Sequence, residues 1–193
     1  MVKSYKKIRL NKAPKLFLVI VGLLIITSCD KNDDQIPLEQ LPPATQTGAQ
    51  TFGCLINGKP FIPPLFGSNS PRAFYQFARG AYTLGISAGK GGGVEMVNIF
   101  IGAIDINGLQ VGEYSLIERK SGNYFGTYLG GAEAEEGWLS IFSTSNGNPG
   151  VLNITNFDPE KFIISGTFSF TLIDENGEKI QITDGRFDMN FTN

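Results

Sequence analysis

Histidine is absent from this chain of 193 residues. The side chain that most often serves as a general base and as a metal ligand is therefore missing, which argues against histidine-dependent hydrolysis and most transition-metal sites. Cysteine occurs only at Cys29 and Cys54, and tryptophan only at Trp138. Acidic residues are missing from the start of the chain, because all 18 of them follow Cys29.

This uneven charge divides the chain at Cys29. Six of the 16 basic residues precede it, so the remainder carries ten basic and 18 acidic residues, a formal net charge of −8. A domain with that charge repels phosphate backbones, and we expect no nucleic-acid partner.

The first 28 residues are typical of an export signal. Residues 1–15 are basic, and Leu16–Ile26 is an apolar run of eleven residues, which has the length of a signal core and is short for a permanent bilayer span. The tetrapeptide that follows, ITSC at 26–29, resembles the lipobox of bacterial lipoproteins. The resemblance implies cleavage between Ser28 and Cys29, a diacylglycerol on the Cys29 thiol, and an acyl chain such as palmitate on the new amine. A membrane-anchored helix with a chance cysteine is the alternative.

Residues 29–50 are predicted to form a lipid-anchored flexible tether. Residues 30–34, DKNDD, resemble the surface-export signal of Bacteroidota lipoproteins, although an ordinary solvated linker also has this composition. Residues 35–50 carry three prolines and no apolar periodicity, which indicates an extended, disordered spacer.

Residues 51–193 are predicted to form a single all-β domain. Short alternating runs are separated by turn residues such as Asn57-Gly58 and Arg79-Gly80, and the run at 94–104 is apolar on both faces, as in a central strand. This pattern predicts an antiparallel β-sandwich of nine to eleven strands, with a β-barrel as the alternative.

The last two strands show a change of parity. Ile180 and Ile182 share one parity, whereas Phe187, Met189 and Phe191 share the opposite one. One extra residue would keep all five side chains on the core face, so we predict a β-bulge at residues 184–185, Asp-Gly.

The two ends of this domain carry a family resemblance. The segments TFGCLINGKPFIP and ISGTFSFTLIDENGEKIQITDGRFDMNF are similar to a family of Bacteroidota lipoproteins whose activity is uncharacterised. The resemblance implies an outer-membrane location. The protein would lie on the periplasmic face or on the cell surface, and the cell surface is slightly favoured.

Few residues are candidates for chemistry. Asp184 and Asp188 bracket Arg186, and three glutamates cluster at 133–136, in positions that a glycosidase carboxylate pair could occupy. A Gly/Ala-rich loop would hold the glutamates loosely, and the oxygen-rich run at 174–178 is explained by a hairpin turn, so no catalytic residue, metal or cofactor is predicted. Cys54 is expected to be a small buried apolar side chain.

Aromatic side chains are the one candidate for binding. Tyr124, Tyr128, Trp138 and Phe142 share strand parity on two neighbouring strands. On an exposed sheet face they would form a platform for sugar rings or apolar ligands, whereas on the inner face they would fill and border the core.

The leading functional hypothesis is a non-enzymatic, lipid-anchored binding or accessory module of the outer membrane. Its partner would be a glycan, a peptide or another outer-membrane protein. The alternatives are an envelope or glycan hydrolase that uses a carboxylate pair, and a purely structural or adhesive envelope protein.

Overall fold

The computed structural model describes residues 36–132, 139–173, 177 and 179–193. The signal segment, Ser28, Cys29 and Trp138 lie outside these residues. The described part contains no α-helix and, apart from 3-10 turns at Pro37–Gln40 and Gly93–Glu95, its regular structure is β-strand. In chain order the strands are β1 (Thr51–Ile56), β2 (Lys59–Phe61), β3 (Arg72–Ala78), β4 (Ala81–Lys90), β5 (Val97–Ile106), β6 (Gly112–Leu116), β7 (Tyr124–Ala132), β8 (Leu139–Ser143), β9 (Gly150–Asp158), β10 (Ile163–Ile173) and β11 (Lys179–Thr192).

These eleven strands pair in the order β10-β9-β6-β7-β5-β4-β3-β11-β1-β2, with β8 beside β7. Because β10 also pairs with β11, the hydrogen-bonded ladder returns on itself around the core. The contacts of β11 with β3 and of β6 with β7 are short and parallel, whereas the other strand pairs are antiparallel. The all-β class and the strand number agree with the sequence prediction. The arrangement is sandwich-like, with two parallel contacts that were not expected.

One hydrophobic core lies inside this ladder. Its fully buried side chains come from strands on both sides, among them Ile86 of β4, Ile101 of β5, Ile154 of β9 and Ile164 of β10. Strand β5 pairs with β4 on one side and β7 on the other, so the apolar run at 94–104 does contribute a central strand.

The bulge predicted in β11 is present. Phe168 pairs with Gly185 and Phe170 pairs with Ile182, so Ser169 lies opposite two residues of β11. Asp184 is one of these two bulge residues, and its backbone has a positive φ of 54°. The side chains of residues 180, 182, 187, 189 and 191 consequently all contact the core, as the parity switch required.

The predicted turns are also present in the described residues. Asn57 and Gly58 have φ of 49° and 76°, and Arg79 and Gly80 have φ of 56° and 87°. Two consecutive positive φ values are the signature of a type I′ turn, whose twist matches that of the flanking strands.

The segment of residues 36–50, here called the strap, corrects the prediction of a flexible tether. It belongs to the same compact unit as the strands. Leu41 is buried, and Pro42 lies directly on Gly53 of β1, where a Cβ would be 2.6 Å from Pro42 Cδ. The remaining predicted tether, residues 29–35, lies outside the described part. No helix among the described residues has the length and apolarity needed to cross a bilayer.

Candidate functional site: an aromatic pocket at one end of the sandwich

In the structure, the aromatic residues that parity placed on one platform belong to different ring pairs. Tyr128 and Phe142 are cross-strand partners whose rings stack at 6.5 Å, whereas Tyr124 stacks with Tyr114 of β6 at 4.2 Å. All four of these rings are half-buried and pack against the core. Trp138, the remaining member of the predicted platform, lies outside the described residues.

The face that these tyrosines share points inward. Gly126 lies between them on β7, and a Cβ there would come within 2.8 Å of the ring of Phe170, a core residue. Of the two interpretations, the structure therefore supports the one in which Tyr124, Tyr128 and Phe142 border the core, and these three rings form no exposed platform. Burial raises the pKa of Tyr128, and burial together with neighbouring Tyr114 raises that of Tyr124, so both phenols stay neutral.

Asp188 does not form a catalytic pair with Asp184. Its side chain is 0 % exposed. It accepts six hydrogen bonds, from Thr45 Oγ1 (2.6 Å), Thr47 N (2.9 Å) and Oγ1 (3.4 Å), Gly48 N (2.8 Å), Ala49 N (3.1 Å) and Ser165 Oγ (2.8 Å). Burial acts to raise the pKa of this carboxyl, but the hydrogen bonds from the strap outweigh it and lower the pKa to about 2. A carboxylate saturated in this way holds the strap and is not free for acid–base work.

Asp184 and Arg186 lie instead beside an open groove on the outer face of β10 and β11. The groove has a volume of 440 Å³ and also exposes Thr167 and Ser169. Arg186 Nε donates a hydrogen bond to the backbone oxygen of Asp184 at 3.2 Å, so the guanidinium supports the bulge. The glutamates at 133–136 lie outside the described residues.

Cys54 is the buried apolar side chain that the sequence predicts. It is 0 % exposed and unpaired with sulfur. Burial raises the pKa of its thiol to about 12, so the reactive thiolate is suppressed at neutral pH.

A second pocket lies where the core opens at one end of the sandwich. Along β3, Ala73 is buried, Tyr75 is half-buried and Phe77 is 63 % exposed, although all three share one parity. The inward face of β3 thus continues past the edge of the core into solvent. On β4, Tyr82 lies directly opposite Phe77.

Aromatic rings form the floor and two rims of this pocket. Its volume is 580 Å³, within the range of pockets that hold small ligands. Tyr75 and Tyr82 stack at 4.6 Å, and Tyr75 Oη accepts a hydrogen bond from Leu109 N at 2.9 Å, which fixes the floor. The lining residues are Tyr75, Gln76, Phe77, Ala78, Tyr82, Pro159, Phe162, Phe191 and Asn193, none of which has a charged side chain.

The second rim is Phe162, in the turn between β9 and β10. Its φ is 56°, a left-handed conformation that is unfavourable for a bulky side chain. Two contacts hold it there: Phe191 N donates a hydrogen bond to the carbonyl oxygen of Phe162 at 2.8 Å, and the two rings meet edge to face at 5.6 Å. The ring is nevertheless 42 % exposed. Backbone strain kept at an exposed aromatic ring is a common property of binding sites.

Sequence reasoning missed this pocket, although part of its signal was present. The Arg79-Gly80 turn sets the register of its hairpin, so Phe77 and Tyr82 could have been placed on one face from the sequence. Phe162 and Phe191 carry no such signal, because tertiary structure alone brings their segments to β3.

In the described part of the chain, no three His, Cys, Asp or Glu side chains lie close enough to hold a metal ion. Comparisons with protein-family models, with curated proteins and with solved structures found no match to this chain.

Proposed function

We propose that this protein is a non-enzymatic lipoprotein of the outer membrane that binds glycans in the aromatic pocket. The observation that carries the proposal is an open pocket without charged side chains, with exposed aromatic rims at Phe77 and Phe162. Sugar rings present apolar C–H faces that stack on aromatic rings, and hydroxyl groups that amides can hydrogen-bond. Asn193 is a lining residue with an amide side chain, and the absence of charged side chains favours a neutral sugar over a phosphate or a charged peptide.

Two buried groups support a non-enzymatic role. The carboxylate of Asp188 is engaged by the strap, and the thiol of Cys54 is enclosed by the core. Membrane attachment is inferred from the sequence alone, through the basic start, the apolar run and the ITSC tetrapeptide.

The binding proposal is tested by glycan-array screening followed by calorimetry on the best ligand. Replacing Phe77 and Phe162 together by Ala should weaken binding about tenfold or more, because each stacked aromatic ring contributes roughly 0.5–1.5 kcal/mol. Phe66→Ala is the matched control, since it removes an exposed ring that does not line the pocket. An array without hits, or an affinity that the double substitution leaves unchanged, would refute glycan binding at this site.

The attachment proposal is tested separately by Cys29→Ala. We expect the altered chain to retain residues 1–28 and to take up no lipid label, because no thiol remains to receive the diacylglycerol. Normal processing of Cys29→Ala would contradict lipidation.

A further inference from the structure

The loop at residues 62–71, between β2 and β3, exposes two large apolar side chains. Phe66 is 87 % exposed and Leu65 is 65 % exposed, and neither is among the residues of the core. Burying both would remove a large apolar area from water, which is energetically favourable. An aromatic ring held almost entirely in solvent therefore suggests that something else covers this loop.

The loop lies beside the strap. Pro42 of the strap lines one shallow cleft with Ile62, Pro63 and Leu65 of the loop. The 3-10 turn at Pro37–Gln40 packs against β2, the strand that leads into the loop. The place where the described chain begins and the exposed apolar loop are thus on the same side of the domain.

The stretch of chain that contains the strap and the loop carries little net charge. Residues 36–72 contain one acidic residue, Glu39, and two basic ones, Lys59 and Arg72, whereas residues 73–193 contain fourteen acidic and seven basic residues. The strap and loop therefore belong to a nearly neutral stretch of an otherwise acidic chain. A neutral, apolar surface can approach an anionic membrane, while an acidic surface is repelled by it.

The distance from Cys29 to the domain is short. Seven residue steps separate Cys29 from Ile36, a reach of at most about 25 Å whatever their conformation. A compact unit of residues 36–193 has a radius of gyration of about 15 Å and is therefore roughly 40 Å across. A lipid at Cys29 would hold the strap side of the domain near the bilayer.

We propose that Leu65 and Phe66 insert into the head-group region of the bilayer that anchors Cys29. The inference rests on the lipidation of Cys29 in the proposed function and adds a second, non-covalent membrane contact. It also sets the orientation of the pocket. Strand β3 begins directly after the loop and its seven residues end at the pocket rim, so the pocket lies about 20 Å along the strand from the loop that contacts the membrane.

The test uses the lipidated mature protein, produced from the full chain, purified from the membranes of the producing bacterium and reconstituted into vesicles of phosphatidylcholine and phosphatidylglycerol. Phe66→Trp places a fluorescent probe in the loop, and Trp138→Phe makes it the only tryptophan. Phe77→Trp in the same background is the matched control, because residue 77 is similarly exposed but lies at the pocket. Mass spectrometry of each sample reports the lipid on Cys29.

We expect brominated lipids to quench the probe at residue 66 about twofold or more above the probe at residue 77, together with a blue-shifted emission at residue 66 only. Equal, weak quenching in lipidated protein would overturn the membrane contact and leave the proposed function standing. A blue shift at residue 66 without lipid quenching would also overturn it, and would show that protein covers the loop. Absence of lipid on Cys29 would overturn the anchor and this inference with it.

Discussion

Asp188 shows how a single buried charge can fix a segment that is not part of a β-strand. The strap contributes backbone N–H groups of Thr47, Gly48 and Ala49, which converge on one carboxylate. Hydrogen bonds to an ionised acceptor are stronger than those between neutral groups, and here the accepting carboxylate is buried. Ser165 of β10 completes the set from the other side.

Asp188→Asn tests this arrangement at the level of the residue. We expect the free energy of unfolding to fall by roughly 2–4 kcal/mol, because the amide NH₂ faces donors and leaves some of them buried without an acceptor. Urea unfolding measures the change. Asp184→Asn is the control, since Asp184 is an exposed carboxylate of the same strand and should change stability by less than about 0.5 kcal/mol. Similar losses for both variants would contradict the role given to Asp188.

At the level of the element, the bulge of β11 affects its pairing with both neighbouring strands, β10 and β1. Phe168 and Phe170 of β10 pair across it on one edge, and Gly53 and Leu55 of β1 pair across it on the other. Both neighbouring strands therefore show a register shift at the same place. The bulge depends on Asp184, whose φ of 54° is tolerated by Asp and Asn but disfavoured by branched side chains.

Asp184→Val should destabilise the protein by about 1–2 kcal/mol, because a β-branched side chain in the left-handed region clashes with the backbone. Asp184→Gly should be nearly neutral, since glycine adopts this conformation freely. Thr183→Val is the matched control at the exposed neighbouring residue, which does not have a positive φ. Thermal unfolding compares the three variants, and an equal effect of valine at both positions would rule out backbone strain as the cause.

The elements also show which features a sequence can reveal. The bulge was predictable because the parity of apolar residues along β10 and β11 is a local property of the sequence. One change of parity within a strand requires one extra residue, which is a β-bulge. Parity also placed Tyr124 and Tyr128 on a common face, but it does not state which face is inward. That information lies in Phe170, which packs over Gly126 from a strand more than forty residues away.

The strap and the pocket were not predictable for a related reason. Residues 35–50 show no apolar periodicity, because most of the strap's hydrogen bonds to Asp188 come from backbone N–H groups. Every residue type except proline has such a group, so these contacts do not constrain the sequence. The pocket combines β3, β4, the turn at Phe162 and the end of the chain, and only the completed fold brings these segments together.

At the level of the whole molecule, Asp188 links stability to pH. Its pKa in the folded protein is about 2, below the ordinary value of 3.8, so its contribution is complete above about pH 4 and is lost as the pH falls toward 2. A shift of this size corresponds to roughly 2 kcal/mol. We expect the stability difference between the native protein and Asp188→Asn to narrow by that amount between pH 5 and pH 2, as measured by urea unfolding at each pH. A difference that stays constant over this range would show that Asp188 is not the group responsible.

The contact between the strap and β11 also imposes an order on assembly. Its donors and its acceptor are separated by 139 to 143 positions in the chain. A polypeptide delivered with its N-terminus first, from a ribosome or through a translocation channel, presents the strap long before Asp188 has emerged. The part of the strap that binds Asp188 therefore docks after β11 has been delivered, and in a chain truncated before β11 residues 45–49 lack their acceptor and are open to proteases.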